Sequence, residues 1–461
     1  MTKSSAAFTC LLATTLVVSA CSNNHGSASS SGSSSGSVAG GGSSSGSIAG
    51  GGSSSGASAG SSSGGTALTG FACTTANLYA GNPKSATSSN SDNTVTTLPF
   101  KPTAAAETLD VHQLLFSMAN GSPYLFTYDG AKRLWGAKLD DASVVFNKIA
   151  GSTTNGDFQG GPCSNASIRL GDIHGIAAVP GATDGTFVAV VHANSDDTKG
   201  ALIEVKNPQS LVDCSVNLIS ANALSLSNPV WPIFVGTGLY VIQRPDAGDN
   251  TTGDTITKIP YNGDTSALSI SLAGEPFNAD GFITGVTSIG SKLYILGTDS
   301  PSGGAILQVN VAPPLDAAHP FKIIVNGDNS FWQAGSSAVS PNGLTTDGTG
   351  LIAWASGQLF YITLTGTLKR IAGDSSFISA SNIDDNLPSY DYNTAKDATS
   401  TDPIHEPLLI YRNQQQQADS DVFLGYRATD ATHGKLLFVG SWNDLDFVGT
   451  FVEGLDCQVY P

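Results

Sequence analysis

The sequence predicts an all-β fold, a six-bladed β-propeller that follows a disordered Ser/Gly tether. Three observations predict it. Residues 22–66 are almost entirely Ser, Gly and Ala, and such a stretch cannot bury enough apolar surface to offset its ordering entropy. In the rest, short apolar segments are separated by turn residues. Only 12% of the chain is charged and 53 residues are glycine, the composition of many short strands joined by turns. Finally, a strand pattern recurs at steps of roughly 53 to 63 residues, the spacing of a repeat architecture.

The N-terminus reads as an export signal. Met1 to Lys3 is a short cationic start, and 6–18 is a mostly apolar run interrupted by Thr9, Thr14 and Thr15. Small residues then precede a cut, as in a signal peptide. The run is too short and too polar for a good membrane span. Val18-Ser19-Ala20-Cys21 resembles the lipobox of bacterial lipoproteins. That resemblance implies cleavage after residue 20, palmitate-type acylation of Cys21 and a lipid anchor. It also implies a place in the cell envelope, and Ser22 in place of Asp favours the outer membrane or cell surface. The alternative is an ordinary secretory cut that leaves Cys21 a free thiol. The expected organisation is a signal peptide over 1–20, a lipidated cysteine and tether over 21–66, and a propeller over 67–461.

Within the tether, SSSGSVAGGG at 33–42 is followed by SSSGSIAGGG at 43–52. A Gly/Ser coil of this length spans on the order of 35–40 Å on average. It would hold the domain near a membrane but not against it. A neutral spacer grown by repeat slippage is the alternative.

In the folded part, outer strands are expected to end in apolar-Ala-Gly triplets: Ile149-Ala150-Gly151, Leu272-Ala273-Gly274, Ile371-Ala372-Gly373 and, more loosely, Val325-Asn326-Gly327. Hairpins of alternating apolar and polar residues lie between them. A shorter strand precedes each hairpin, at His112, His174, Trp231, Thr284, Asn342 and His405. Units of four strands fit a propeller. A two-sheet sandwich could use the same strands but would not need equal units. A 414–417 glutamine run falls in an expected insertion of the sixth unit, 411–434, read as a surface loop.

One stretch resembles the NHL repeat. It comprises Ile149-Ala150-Gly151, Gly156-Asp157-Phe158-Gln159-Gly160-Gly161-Pro162, the segment 166–170 and Gly175-Ile176-Ala177. Ser340-Pro341-Asn342-Gly343-Leu344 matches part of the motif again. The resemblance implies six blades and leaves the activity open, because function belongs to a site and not to a fold.

The sixth unit ends before its outermost strand. Residues 71–79 or 94–100 would supply that strand and remove an open sheet edge. The mature domain holds Cys73, Cys163, Cys214 and Cys457, and an oxidising compartment gives two disulfides from three pairings. Cys73–Cys457 with Cys163–Cys214 is the expected set, because the first would staple the chain ends where the ring closes.

Candidate chemistry lies at the mouth of the channel. His112, His174 and His405 belong to the first, second and sixth units, neighbours around a closed ring. Asp110, Asp172 and Asp402 stand just before them. Three imidazoles with carboxylates orienting them would bind a divalent ion such as Zn²⁺ and activate a water. Solvated histidines repeated by duplication are the alternative. His192, His319 and His433 fall outside this frame and read as surface or loop residues. Asp246, Asp249 and Asp254, like Asp196 and Asp197, read as solvated turns and not as a Ca²⁺ loop. The sequence has neither a Gly-x-Ser-x-Gly nucleophile elbow nor a phosphate-binding loop.

The formal net charge of -17, from 20 basic and 37 acidic residues, argues against nucleic acid as a partner. The expected function is a membrane-anchored binding or scaffolding module with a protein or envelope partner. A metal-dependent hydrolase or lactonase at the channel mouth is the alternative. A quinone dehydrogenase comes third, because the chain is poor in the Arg and Lys that such a cofactor pocket needs.

Overall fold

The computed structural model describes residues 70–80, 111–372 with short gaps, and 422–460 without 444–447, all within the unit that spans 65–461. Every regular element among the described residues is a β-strand. The first, β1 (Gly70–Ala80), stands apart from the four that follow. Blade one is β2 (Val111–Ala119), β3 (Ser122–Asp129), β4 (Arg133–Lys138) and β5 (Asn147–Gly151), paired in that order. Blade two holds β6 (Gly161–Pro162), β7 (Asp172–Ala178), β8 (Phe187–Ala193), β9 (Asp196–Lys206), β10 (Ser215–Leu218) and β11 (Leu226–Ser227). Its order is β7-β8-β9-β10-β6, with β11 also on β9.

Blade three is β12 (Pro229–Val235), β13 (Gly238–Gln243), β14 (Thr255–Ile259) and β15 (Leu268–Ser271). Blade four is β16 (Ile283–Ile289), β17 (Lys292–Gly297), β18 (Ala305–Asn310) and β19 (Phe321–Val325). Blade five is β20 (Pro341–Thr346), β21 (Leu351–Ala355), β22 (Gln358–Ile362) and β23 (Leu368–Ala372). Blade six is β24 (Val422–Ala428), β25 (His433–Asn443) and β26 (Val448–Tyr460), completed by β1.

The first strands touch in the order β2, β7, β12, β16, β20, β24 and back to β2. The sheets therefore close into a ring, and the protein is a six-bladed β-propeller. Closure uses the earlier of the two expected segments: β1 pairs antiparallel with β26, with Gly70 opposite Tyr460 and Cys73 opposite Cys457. Both expected disulfides are present, Cys73–Cys457 and Cys163–Cys214.

In blades one, three and four the hairpin that joins first and second strands is a two-residue turn. Ala119 pairs with Ser122, and Asn120 and Gly121 both take positive φ, the twist that a two-residue hairpin needs. The second strands differ from the expected alternation. All five residues of 187–191 are buried, as are those of 239–242, 293–296 and 351–354. Each blade is covered by a neighbour on both faces, so its inner strands bury both sets of side chains, as in a doubly covered sheet.

The core accordingly lies in the seams. One cluster joins Phe126, Leu134 and Ile149 of blade one to Ile173, Phe187 and Ile203 of blade two. Others join blades two and three, three and four, and four and five.

Two expectations about blade six are corrected. His405 and Asp402 lie outside the described residues, and the first strand of the blade is β24, well downstream of His405. The segment 422–434, expected to be part of an insertion, holds that strand and the start of its hairpin. Pairing with β25 decides this, because β24 continues the ladder from Val422 to Ala428.

Candidate functional site at the propeller mouth

The mouth is the face on which the first strands begin. Five of these strands slip by one residue against their partners there. The slips lie between His112 and Leu115, Ile173 and Gly175, Val230 and Pro232, Ile283 and Gly285, and Asn342 and Leu344. β24 has no such slip. A bulge bends the strand and re-aims a side chain. The sequence frame falls on the bulged residue at His174, Trp231 and Thr284, and just before it at His112 and Asn342.

Two of the re-aimed side chains, Gln113 and Trp231, bind the next blade, and His174 packs within its own. Gln113 Nε2 donates to the Ile176 carbonyl at 2.9 Å, and the Ile176 N–H donates to Gln113 Oε1 at 2.8 Å. Trp231 Nε1 donates to the Ile283 carbonyl at 3.1 Å. His174 stacks on His192 with ring centroids 3.7 Å apart and planes 19° from parallel. His192 Nε2 lies 2.7 Å from the Pro229 carbonyl. A carbonyl only accepts, so this nitrogen carries the proton.

His192 is therefore not the expected surface residue. It is 4% exposed, at the seam between blades two and three. Its place follows from β8 being an inner strand of a covered sheet.

Register reveals an asymmetry. The residues opposite the first-strand starts are Asp129, His192 and Gln243 in blades one to three. In blades four to six they are Gly297, Ala355 and Gly440. At these six described positions the side chains are thus polar in blades one to three and small in blades four to six.

Two buried ion pairs lie there. Asp129 Oδ2 accepts from Arg133 Nε at 2.7 Å and from Trp135 Nε1 at 2.8 Å, while Oδ1 accepts from the Arg133 N–H at 3.0 Å. The other guanidinium arm is 2.7 Å from Oδ2, and both residues are 1% exposed. Burial pushes the Asp129 carboxyl up, and Arg133 and Trp135 pull it back down. In blade three Arg244 Nε lies 3.5 Å from Asp254 Oδ1. Burial raises the Asp254 carboxyl and Arg244 lowers it. Asp254, expected in a solvated turn, is instead buried where β14 starts; Asp246 and Asp249 lie outside the described residues.

Of the candidate metal ligands, His112 pairs with Tyr128 in the ladder, and the placement of its side chain lies outside what the structure describes. His174 is half-buried against His192. Asp172, expected to orient an imidazole, forms an ion pair with Lys132 of blade one at 3.2 Å. Asp110, like Asp402 and His405, falls outside the described residues. Among the described residues no group of three or more His, Cys, Asp or Glu is placed to hold a metal ion. Two stacked rings also point their lone pairs along parallel planes and not at one point, so His174 and His192 do not chelate together. His433 opens β25 on the surface, 3.0 Å from Asp430.

Sequence reasoning missed Gln113, Asp129, Arg133 and His192. A usable signal existed for one pair: Asp129 and Arg133 flank a tight hairpin between apolar strands, where a charge must be paired or exposed.

The class that fold and mouth define is a six-bladed propeller in which, among the described residues, polar contacts at the mouth join blades one to four. No protein-family model matches the chain, and no curated protein matches it. Among solved structures it is similar to GH43B of the Bacteroides ovatus xyloglucan PUL, with 13% identity over 58% of this chain and 53% of that one, TM-score 0.34. It is also similar to 1,3Gal43A, an exo-β-1,3-galactanase from Clostridium thermocellum, with 12% identity over 57% and 56%, TM-score 0.34. A mutant of AofleA from Arthrobotrys oligospora gives 9% identity over 75% and 83%, TM-score 0.39. The chain spans about half the length of the first two. At such TM-scores these likenesses carry no argument about activity.

Proposed function

We propose that this chain is a cell-envelope lipoprotein, lipidated at Cys21, whose NHL-like propeller is a binding or scaffolding module for a protein or other envelope partner. The observation that carries this reading is how the charged groups of the mouth are used. Asp129 is held by Arg133 and Trp135, Asp172 by Lys132, His192 by the Pro229 carbonyl and Asp254 by Arg244. A catalytic acid or base must exchange its proton with a substrate. These groups instead brace blades and hairpins.

Lipidation is tested by labelling with an alkyne fatty acid. Wild type is expected to carry label and to sediment with membranes, and Cys21→Ala to do neither. Label on Cys21→Ala, or a soluble wild type, would sink the anchor.

A metal-dependent hydrolase remains the second reading, because His174 sits half-buried on a bulge at the mouth beside Asp172. Metal analysis of protein purified without a His tag separates the two. One zinc per chain in wild type, lost in His174→Ala, favours the hydrolase; no bound metal in either favours the binding module.

A further inference from the structure

The ring closes where the N-terminal segment joins it. Gly70, the first residue of β1, lies opposite Tyr460, and Cys73 opposite Cys457. The disulfide therefore stands behind only three residue pairs, those of Gly70, Phe71 and Ala72. On its far side the ladder slips twice, between Cys73 and Thr75 and between Leu78 and Ala80. Both cysteines are buried, at 0% and 3% exposure, out of reach of a bulky reductant.

A pull arriving along residues 21–69 enters at Gly70 and would peel β1 from that end. The interrupted ladder offers little resistance, because each slip leaves a residue unpaired. We propose that the Cys73–Cys457 bond is a mechanical bypass. It passes tension from the tether directly into β26, so the hydrogen bonds on its far side, from Thr75 to Ala80, carry none of it. The bond encloses a sequence separation of 384 residues, which includes every blade. Tension between the tether and the C-terminal end of this chain thus runs around the propeller and not through it.

The inference rests on the anchored-tether reading for the source of the pull. Its test needs no lipid, so the two can fail separately. The chain from Ser22 onward is held by handles at its N-terminal end and after Pro461 and stretched in an optical trap, first oxidised and then with a small thiol reductant. The oxidised chain is expected to show no long extension. The reduced chain is expected to lengthen by about 1,300 Å as the enclosed loop opens, at about 3.4 Å per residue. A Cys73→Ser/Cys457→Ser chain that folds should also open, by about 170 Å less, because its Cys163–Cys214 bond stays closed. A long extension in the oxidised chain overturns the proposal. So does a reduced chain that resists as well as the oxidised one, since the seam alone would then bear the tension.

Discussion

Gln113 on the first strand of blade one grips Ile176 on the first strand of blade two with both halves of its amide, donating at 2.9 Å and accepting at 2.8 Å. Each partner is a backbone group that the bulge at Gln113 brings within reach. Gln113→Ala leaves both unmet, and a lost hydrogen bond at a buried partner costs about 1–3 kcal/mol. The denaturant midpoint should fall accordingly, and Gln113→Glu, which keeps only the accepting half, should fall between. A midpoint unchanged in Gln113→Ala would remove this contact from the account of ring stability.

The Asp129–Arg133 pair should behave as a buried salt bridge. Removing one partner strands the other charge, at a cost of about 3–5 kcal/mol. Arg133→Leu is therefore expected to be more damaging than the double change Asp129→Asn/Arg133→Leu. Thermal unfolding of the two side by side checks the order, and the reverse ranking contradicts it.

Two glycines set how closely the first strands approach. A Cβ at Gly175 would lie 2.7 Å from Pro232 Cδ, and one at Gly285 would lie 2.5 Å from the Leu344 nitrogen. Gly285→Ala meets backbone that cannot move aside, so it should destabilise by roughly 1–3 kcal/mol or more through overpacking. Gly290→Ala, at a turn where an added Cβ meets nothing within 4 Å but φ is positive, should cost about 1 kcal/mol from backbone strain. Comparable losses at both sites would argue against close strand packing at Gly285.

Acid stability has a sign that the structure fixes. Hydrogen bonds from Lys258 and then Ser266 hold the Asp264 carboxyl down at about 2. Its folded value is below the ordinary 3.8, so its contribution is full above that value and is lost as pH falls through about 2. Asp129 and Asp254 act oppositely: burial raises them, so stability declines as pH rises from the ordinary carboxylate value through their folded ones. Asp264→Asn should flatten the loss of stability between about pH 4 and pH 2. Denaturant midpoints at several pH values read the slope, and a slope equal to wild type refutes the assignment.

Cys163–Cys214 closes a sequence separation of 51 residues. On the loop-entropy account such a bond contributes about 4 kcal/mol. Cys163→Ser/Cys214→Ser should lose most of that without losing the ring, because blade two keeps its ladder from β7 to β9. Loss of all β-sheet signal in the circular dichroism spectrum would show that the bond holds more than its own loop.

Much of this molecule was legible in the sequence because its signals are local. Asn120-Gly121 marks a tight turn, Ile149-Ala150-Gly151 ends an outer strand, and the spacing of His112, His174, Trp231, Thr284 and Asn342 places the first strands of five blades. The pairing of Cys73 with Cys457 also followed, once a missing outer strand required the chain ends to meet. Blade six was misplaced because β24 lies far from the expected step. A repeat count has no means of seeing an insertion ahead of a strand.

The one-residue slips were not legible, since a bulge changes which way a residue points without changing the residues themselves. His192 shows the consequence. By sequence it is a histidine off the repeat frame; in the ring it is buried between blades and bonded to Pro229. Composition and periodicity determined that this chain is a six-bladed propeller behind a Ser/Gly segment, because strand alternation and turn chemistry act over a few residues. Tertiary structure decided which polar groups meet across the seams. Such contacts join residues tens of positions apart, and only the closed ring brings them within hydrogen-bonding distance.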